Sequence, residues 1–344
     1  MTPRGFGWDI GGVHLKAALL LDDGGAMRLA WRERPFAIWR APTTLPAAMA
    51  SLLEELLPRA AAAGTAIPHA VTFTAELSDC FASREAGVAF ILDACDQALG
   101  VEGYRVLDVE GCLRPPCAAR RTPLSVAAAN WMATAMLAAR FVPDGVLIDT
   151  GSTTTDIVPL RSGRPRPRGR GDTERLQCGE LLYTGALRTP PSSLAETVPV
   201  RGAPCPTIPE FFCSMADAYV LLGRLDPGAY TVETADGRGR DRTACAVRLA
   251  RLVGASPADL GEDGLLALAA FLEERQIARV AAALRRAAPG ARTAVICGAG
   301  EFLAEAAARS VGLDTVRLEA LRPGLGPGWS RVAPAAALAL SCGA

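Results

Sequence analysis

The chain has 344 residues, enough to bury a substantial core and to form two domains or one duplicated unit. Its 36 acidic and 36 basic residues cancel, which gives no support to nucleic-acid or membrane-surface binding. Its 10 cysteines are scattered without a C-x-x-C pair and it has only 2 histidines, so neither a zinc centre nor a disulfide framework is encouraged.

Met1 to Gly5 lead at once into strand-like sequence, without a basic segment followed by an apolar one, and no apolar run approaches bilayer length. A cytoplasmic protein is expected. Phe6 to Ile10, Leu15 to Leu21 and Met27 to Glu33 read as a meander of three strands, with a turn at Asp22-Asp23-Gly24-Gly25. Between the first two lies Gly7-Trp8-Asp9-Ile10-Gly11-Gly12-Val13-His14-Leu15-Lys16. An apolar run brings Asp9 to its end, two glycines let the backbone turn sharply, and a second apolar run leaves.

Thr44 to Ala63 place Leu45, Met49, Leu52, Leu53, Leu56 and Leu57 on one helical face, with Gly64 as a stop. Ala70 to Thr74 read as a strand, Gly87 to Leu99 as a helix, Tyr104 to Val109 as a strand and Leu124 to Ala139 as a helix. This alternation argues an α/β architecture. Glu76 and Asp79 follow the strand at its carboxyl end, where open α/β sheets place ligands; a ligand amine would suit them, and the other reading is that Ser78 or Asp79 caps a helix. Asn130 and Trp131 sit inside a helical pattern, Trp131 as core and Asn130 as a group whose burial demands partners.

At Pro143-Asp144-Gly145 the chain turns and the opening pattern starts again as Leu147-Ile148-Asp149-Thr150-Gly151-Ser152-Thr153-Thr154-Thr155-Asp156. The expected division is 1–143, 144–325 and a terminal helix in 326–344 that returns to the first domain. Arg161 to Arg170 read as an exposed loop and Asp172 as a cap after it. Helices are expected over Phe211 to Leu222, Ala244 to Val253 and Gly264 to Ala287. A buried strand, Ala294 to Cys297, then runs into Gly298-Ala299-Gly300 and a helix from Glu301 to Ser310.

A single Asp-Gly turn is an ordinary hairpin, but two copies a domain's length apart point to a function. A turn of small residues aims several backbone N–H groups at one point and so makes an anion nest. Aspartates at the strand ends would repel bare phosphate and suit Mg²⁺ beside phosphate oxygens. Lys16 follows Asp9 at the spacing at which Asp156 follows Asp149, so equivalent positions carry opposite charges.

The two Asp-x-Gly turns, with a later strand ending in Gly298-Ala299-Gly300, resemble the phosphate and adenosine motifs of the superfamily of sugar kinases, actin and chaperone ATPases. The resemblance implies two ribonuclease-H-like domains with an interdomain cleft. With Gly179-Glu180-Leu181-Leu182-Tyr183-Thr184-Gly185, Thr74 to Asp79, Ala129-Asn130-Trp131, Arg188-Thr189-Pro190 and Arg248 to Arg251, the chain looks more closely like the hydantoinase/oxoprolinase-related proteins of tetrahydromethanopterin-linked C1 transfer.

That family includes the methanofuran-biosynthesis synthase, and the resemblance implies its reaction. An aminomethylfuran diphosphate is coupled to the phenol oxygen of a glutamyl-tyramine or tyrosine-like acceptor, and pyrophosphate is released. Asp9 and Asp149 would then organise Mg²⁺, while Gly11, Gly12, Gly151, Ser152, Thr153 and Thr154 hold phosphate oxygens and Lys16 neutralises charge. His14, Asp156, Asp172 and Glu180 are candidate bases for the phenol, with Asp156 and Glu180 preferred. Gly298 and Gly300 would line an adenosine site in an ATP-binding relative and a furan or phenol site here, so ATP is admitted but not favoured. The partners expected are small molecules and a second copy of the chain. Alternatives are an ATP-dependent kinase, an oxoprolinase-type amidohydrolase, and a noncatalytic nucleotide-binding regulator or scaffold.

Overall fold

The structure, a computed structural model, describes residues 1–57 and 67–343. Thr2–Ile10 (β1), His14–Asp23 (β2) and Ala26–Pro35 (β3) form the expected antiparallel meander. His69–Phe73 (β4) and Tyr104–Leu107 (β5) follow in parallel, and Leu113–Arg114 (β6) closes the edge, in the order β3-β2-β1-β4-β5-β6. Leu45–Leu56 (α1) buries Leu45, Met49, Leu52 and Leu56 on one stripe. The stop expected at Gly64 lies outside the described residues.

Two sequence expectations are corrected in this part of the chain. Arg84–Leu99 (α2) is capped by Ser83, whose Oγ accepts from the Ala86 N–H at 3.2 Å; Ser78 and Asp79 do not cap it, and Ala75–Leu77 forms a separate single turn. After the short helix Pro116–Arg121 (α3), the helix expected from Leu124 begins at Asn130 (α4, Asn130–Phe141). Ala128 takes φ 50°, left-handed geometry that a continuous helix excludes.

The C-terminal helix, Ala333–Cys342, is buried on every side from Ala333 to Leu340, as a helix of alanine and leucine must be. It lies directly on β1. A methyl group on Gly7 would come within 1.9 Å of the Ala335 carbonyl oxygen, so this crossing requires glycine.

The chain resumes as Gly145–Thr150 (β7), Thr155–Arg161 (β8) and Arg164–Pro165 (β9), then Asp172–Cys178 (α5) and Leu181–Leu182 (β10). A separate hairpin pairs Thr197–Val200 (β11) with Ala203–Pro206 (β12). Met215–Leu221 (α6), Arg242–Arg251 (α7) and Pro257–Ala287 (α8) lead to Thr293–Cys297 (β13), Glu301–Ser310 (α9) and Asp314–Arg317 (β14). The second sheet runs β10-β8-β7-β13-β14. Leaving out β6 at the edge of the first sheet and β9, which pairs with β8 off the main order of the second, both share the order 3-2-1-4-5. The repeat seen in the sequence is therefore a repeat of topology, and this mixed order is that of a ribonuclease-H-like fold.

The chain divides into two compact units. One comprises Met1–Leu147, Val158–Cys178 and Val316–Ala344, and the other Ile148–Ile157 and Gly179–Thr315. In the second, the fully buried Arg248 is saturated: it donates to Asp217 Oδ1 at 2.8 and 2.9 Å, to Asp236 Oδ1 at 3.0 Å and to the Gly239 carbonyl at 2.9 Å. No helix among the described residues is long and apolar enough to cross a membrane.

In the first unit Trp8 Nε1 donates to His69 Nδ1 at 3.2 Å, beneath the stacked Phe6 ring. Burial pushes His69 down from 6.5 to about 4. Between these values the unfolded chain binds the extra proton and the folded chain does not, so His69 withdraws stability as pH falls from 6.5 towards 4. The loss is at most about 3 kcal/mol. Urea unfolding of wild type and His69→Gln across that window should give a shallower pH slope for the variant. Equal slopes would remove His69 as the cause.

Candidate active site

The first Asp-Gly loop joins β1 to β2. Asp9 and Lys16 are register partners on these strands, with Lys16 Nζ 3.7 Å from Asp9 Oδ2, and Asp9 is buried. The turn closes by a bond from the Gly11 N–H to the His14 carbonyl at 2.9 Å. Its carbonyls are engaged by the chain just past β3, Gly12 by the Ile38 N–H at 3.2 Å and Val13 by the Phe36 N–H at 2.7 Å. His14 opens β2 and is buried.

The second loop is built the same way. The Gly151 N–H bonds the Thr154 carbonyl at 2.9 Å, the counterpart of Gly11 to His14. The Gly151 carbonyl accepts from Ala186, and that of Ser152 from Leu187 and Arg188, at 2.9–3.0 Å. Among the described residues, no backbone carbonyl takes the N–H groups of Gly12 and Val13 in the first loop, or of Ser152 and Thr153 in the second. Tying the carbonyls on one side leaves N–H groups for the other, which is how an anion nest is made.

The segment that ties the second loop is itself anchored. Thr155 Oγ1 donates to the Thr184 carbonyl at 2.7 Å, and Gln276 Nε2 donates to Thr184 Oγ1 and to the Gly185 carbonyl, both at 2.9 Å. Tyr219 donates to Gln276 Oε1 at 2.7 Å, and the Thr155, Thr184, Tyr219 and Gln276 side chains are all buried. Gln276 was not singled out from sequence, although the signal exists: it is the polar position on the apolar stripe Leu265, Leu268, Leu272, Val280 of α8.

Asp149, half-buried, is the last residue but one of β7, and Asp156 lies in β8 opposite Leu181. Gly298, at φ 92°, turns against this loop: a side chain there would stand 2.3 Å from the Thr150 carbonyl oxygen and 2.6 Å from Asp149 Oδ1. The Gly300 N–H also bonds the Thr150 carbonyl at 2.8 Å. Burial, with Asp149, Glu301 and Asp156 nearby, drives the Cys297 thiol well up. Asp149, Asp156 and the Gly298–Gly300 turn are thus brought together, and Glu301 joins them unforeseen. Glu180 is fully buried and its carbonyl accepts from the Ile157 N–H.

In the first unit the structure gathers Glu76 with Asp172, residues that the sequence keeps far apart. Arg84 Nη2 lies 3.4 Å from Glu76 Oε1 and 3.9 Å from Asp172 Oδ2. Glu76 is buried, and its Oε2 has no hydrogen-bond partner among the described residues. Burial pushes its carboxyl up to about 7, opposed by its own backbone N–H and by Arg84 and reinforced by Asp172. Asp79, by contrast, is exposed, and Asn130 spends its side chain on the Trp131 N–H at 2.8 Å. Trp131 is core, with the buried Arg175 guanidinium 4.0 Å above its ring.

Among the described residues no group of three or more His, Cys, Asp or Glu side chains is placed to hold a metal ion. Mg²⁺ needs no such cage, because one carboxylate, phosphate oxygens and water satisfy it. A single aspartate beside N–H groups without a backbone acceptor, as at Asp9 and at Asp149, is a donor set of that kind.

A family model described as hydantoinase/oxoprolinase matches residues 68–339. The chain belongs to the hydantoinase/oxoprolinase family. The matched span contains the second loop, Glu76, Arg84 and Asp172, and begins beyond the first loop. Two curated relatives carry the same name, the synthase of a furan-2-yl methanamine bearing a gamma-L-glutamylaminoethyl-phenoxymethyl group. That of Methanocaldococcus jannaschii is 37% identical over 198 residues, 57% of this chain and 59% of the relative. That of Methanococcus vannielii is 33% identical over 108 residues, 31% of this chain and 48% of the relative. The chain thus spans about half the length of the curated relatives it matches. A nucleotide-free acetone carboxylase structure shares the fold at a TM-score of 0.58, with 10% identity over 98% of this chain and 70% of that one.

In this member of the hydantoinase/oxoprolinase family the Gln276 network should be measurable as stability. Gln276→Leu strands the Tyr219 hydroxyl and leaves Thr184 Oγ1 only Thr189 Oγ1 at 3.5 Å, and should cost about 1–3 kcal/mol in urea unfolding. An unchanged midpoint would show that the network does not anchor the loop.

Proposed function

We propose that the protein is a transferase of methanofuran-type coenzyme assembly, coupling an aminomethylfuran diphosphate to the phenol oxygen of a glutamyl-tyramine or tyrosine-like acceptor and releasing pyrophosphate. The observation that carries this reading is the pair of loops whose carbonyls are tied and whose N–H groups are left for an anion. The name of the curated relatives supplies the bond to be made, an aryl ether to a furan-bearing methylene. A methylene on a furan ring tolerates developing positive charge, so the demanding part of the reaction is departure of the leaving group. Stabilising a departing diphosphate is what preorganised N–H donors do best.

Within each unit the loop would hold phosphate oxygens by its own N–H groups, Gly11 and Gly12 with Val13 in the first and Gly151, Ser152, Thr153 and Thr154 in the second. Lys16, held against Asp9, would place a positive charge beside the first loop. Asp9 beside the first loop and Asp149 beside the second are each a carboxylate that would hold Mg²⁺, which when bound supplies further charge neutralisation to phosphate. The ether bond forms without phosphoryl transfer, so the fold of a kinase is used for its grip on phosphate and not for its usual reaction.

The test is direct. Purified protein with Mg²⁺, the aminomethylfuran diphosphate and a glutamylated tyramine should form ether and pyrophosphate in equal amounts, at the same rate with and without ATP. Asp149→Asn should lower the rate about 10²-fold or more while leaving the thermal unfolding profile in place. Absence of ether, or ether formed only as ATP is consumed, would overturn the reading in favour of a kinase or amidohydrolase activity.

A further inference from the structure

Deprotonating a phenol, whose pKa is about 10, calls for a base, and the first unit contains a carboxylate with an open acceptor beside the proposed phosphate loop. Strands β1 and β4 are parallel neighbours, with Ile10 opposite Phe73, so their carboxyl ends emerge side by side. The Thr74 N–H bonds the Ile10 carbonyl at 3.0 Å, and a methyl group on Gly12 would stand 3.3 Å from Ser78 Oγ. The turn Ala75–Leu77, which carries Glu76, is therefore wedged between these two contacts with the first loop.

Glu76 Oε1 faces Arg84, Oε2 has no hydrogen-bond partner among the described residues, and the backbone N–H that bears on the carboxyl is the residue's own. A buried acceptor left open is costly and uncommon in a folded protein. The charged groups that face it are Arg84 from α2 and Asp172 from α5, and these share one guanidinium between two carboxylates. Arg84 touches Glu76 while its own side chain remains 28% exposed, so the carboxyl lies one side chain beneath solvent. The next residue, Leu77, is half exposed.

We propose that Glu76 is the proton acceptor for the phenol of the coupling reaction, with Arg84 and Asp172 as positioning residues. The assignment rests on the reaction proposed above, and it displaces His14, Asp156, Asp172 and Glu180 from that role. In the step, the phenol O–H breaks and its proton goes to Glu76 Oε2. The oxygen's electron pair forms the new bond to the furan methylene carbon, whose bond to the diphosphate oxygen breaks, and that pair leaves with pyrophosphate. Glu76 then returns its proton to water. A carboxyl pushed up to about 7 by burial meets the phenol more nearly in basicity than an ordinary one at 4.5 does.

The experiment tracks ether formation from pH 5 to 9 with two acceptors, the glutamylated tyramine and a ring-fluorinated analogue whose phenol is more acidic. Wild type should show kcat/KM rising with pH through about 7. Glu76→Gln should lower kcat about 10²–10³-fold, abolish that rise and leave KM for the diphosphate within a few-fold. The fluorinated acceptor should recover most of the lost rate, which a merely structural role would not allow. Arg84→Gln keeps Glu76 and removes the cation beside it, so it should move the rise to higher pH; this reports on Glu76 even if Glu76→Gln fails to fold. A pH rise that survives Glu76→Gln, no recovery by the fluorinated acceptor, or an unmoved rise in Arg84→Gln would overturn the assignment while leaving the reaction standing. Wild type that forms no ether with either acceptor would overturn the reaction and this assignment with it.

Discussion

A turn can offer its N–H groups to a ligand only if its carbonyls are engaged elsewhere, because a peptide unit free to flip presents either face. That constraint shapes both halves of this protein. In the first loop the carbonyls of Gly12 and Val13 are taken by the chain just past β3, and in the second those of Gly151 and Ser152 are taken by the chain just past β10. Each loop is thereby held by the segment leaving the strand that pairs on the far side of its hairpin, β3 in one sheet and β10 in the other. The order 3-2-1-4-5 is thus more than a packing solution, since it brings a tying segment to the end of the central strand in both units.

The copies share this backbone and differ in charge. Asp9 meets Lys16 across the β1–β2 ladder, so the first loop has a carboxylate already partly neutralised. At the second, burial first and then the charges of Asp149, Glu301 and Asp156 hold the Cys297 thiol well up. A surface of that sign favours an anion that arrives with a cation. The two units share this turn and differ in electrostatics, so the two loops are not interchangeable.

Most of the fold was legible because it is written in local pattern. The two strand-turn-strand copies arise from short apolar runs broken by small residues, and the helix expected from Glu301 to Ser310 is found with those bounds. Local pattern misled where one backbone angle outweighed it. The sequence from Leu124 to Ala129 is as helical in composition as Asn130 to Phe141, and only the left-handed Ala128 moves the start of the helix to Asn130. The loops were legible for the same reason as the strands. The surroundings of Glu76 were not: Arg84 opens the next helix, Asp172 comes after the second copy of the motif, and no spacing rule connects them. Burial and a shared guanidinium are properties of the tertiary fold alone.

Two ion pairs that each include a buried charge make an instructive contrast. Arg248 and Asp217 are both buried, and the guanidinium is met by two carboxylates and a carbonyl. Breaking such a pair is expensive, and its completeness is what a structural role demands. Glu76 is as deeply buried, yet Arg84 meets one of its oxygens at 3.4 Å, is drawn also toward Asp172, and leaves the other oxygen open. The same fold saturates one buried charge and leaves another incomplete. Incomplete solvation is what moves a carboxyl toward neutral pH, and a carboxyl so moved is matched to proton transfer. The unsaturated pair also lies beside the carboxyl end of β4, next to the loop that offers N–H groups, whereas the saturated one is built into the helices α6 and α7. A static brace and a working group are thus distinguished here by the number of partners each buried charge is given.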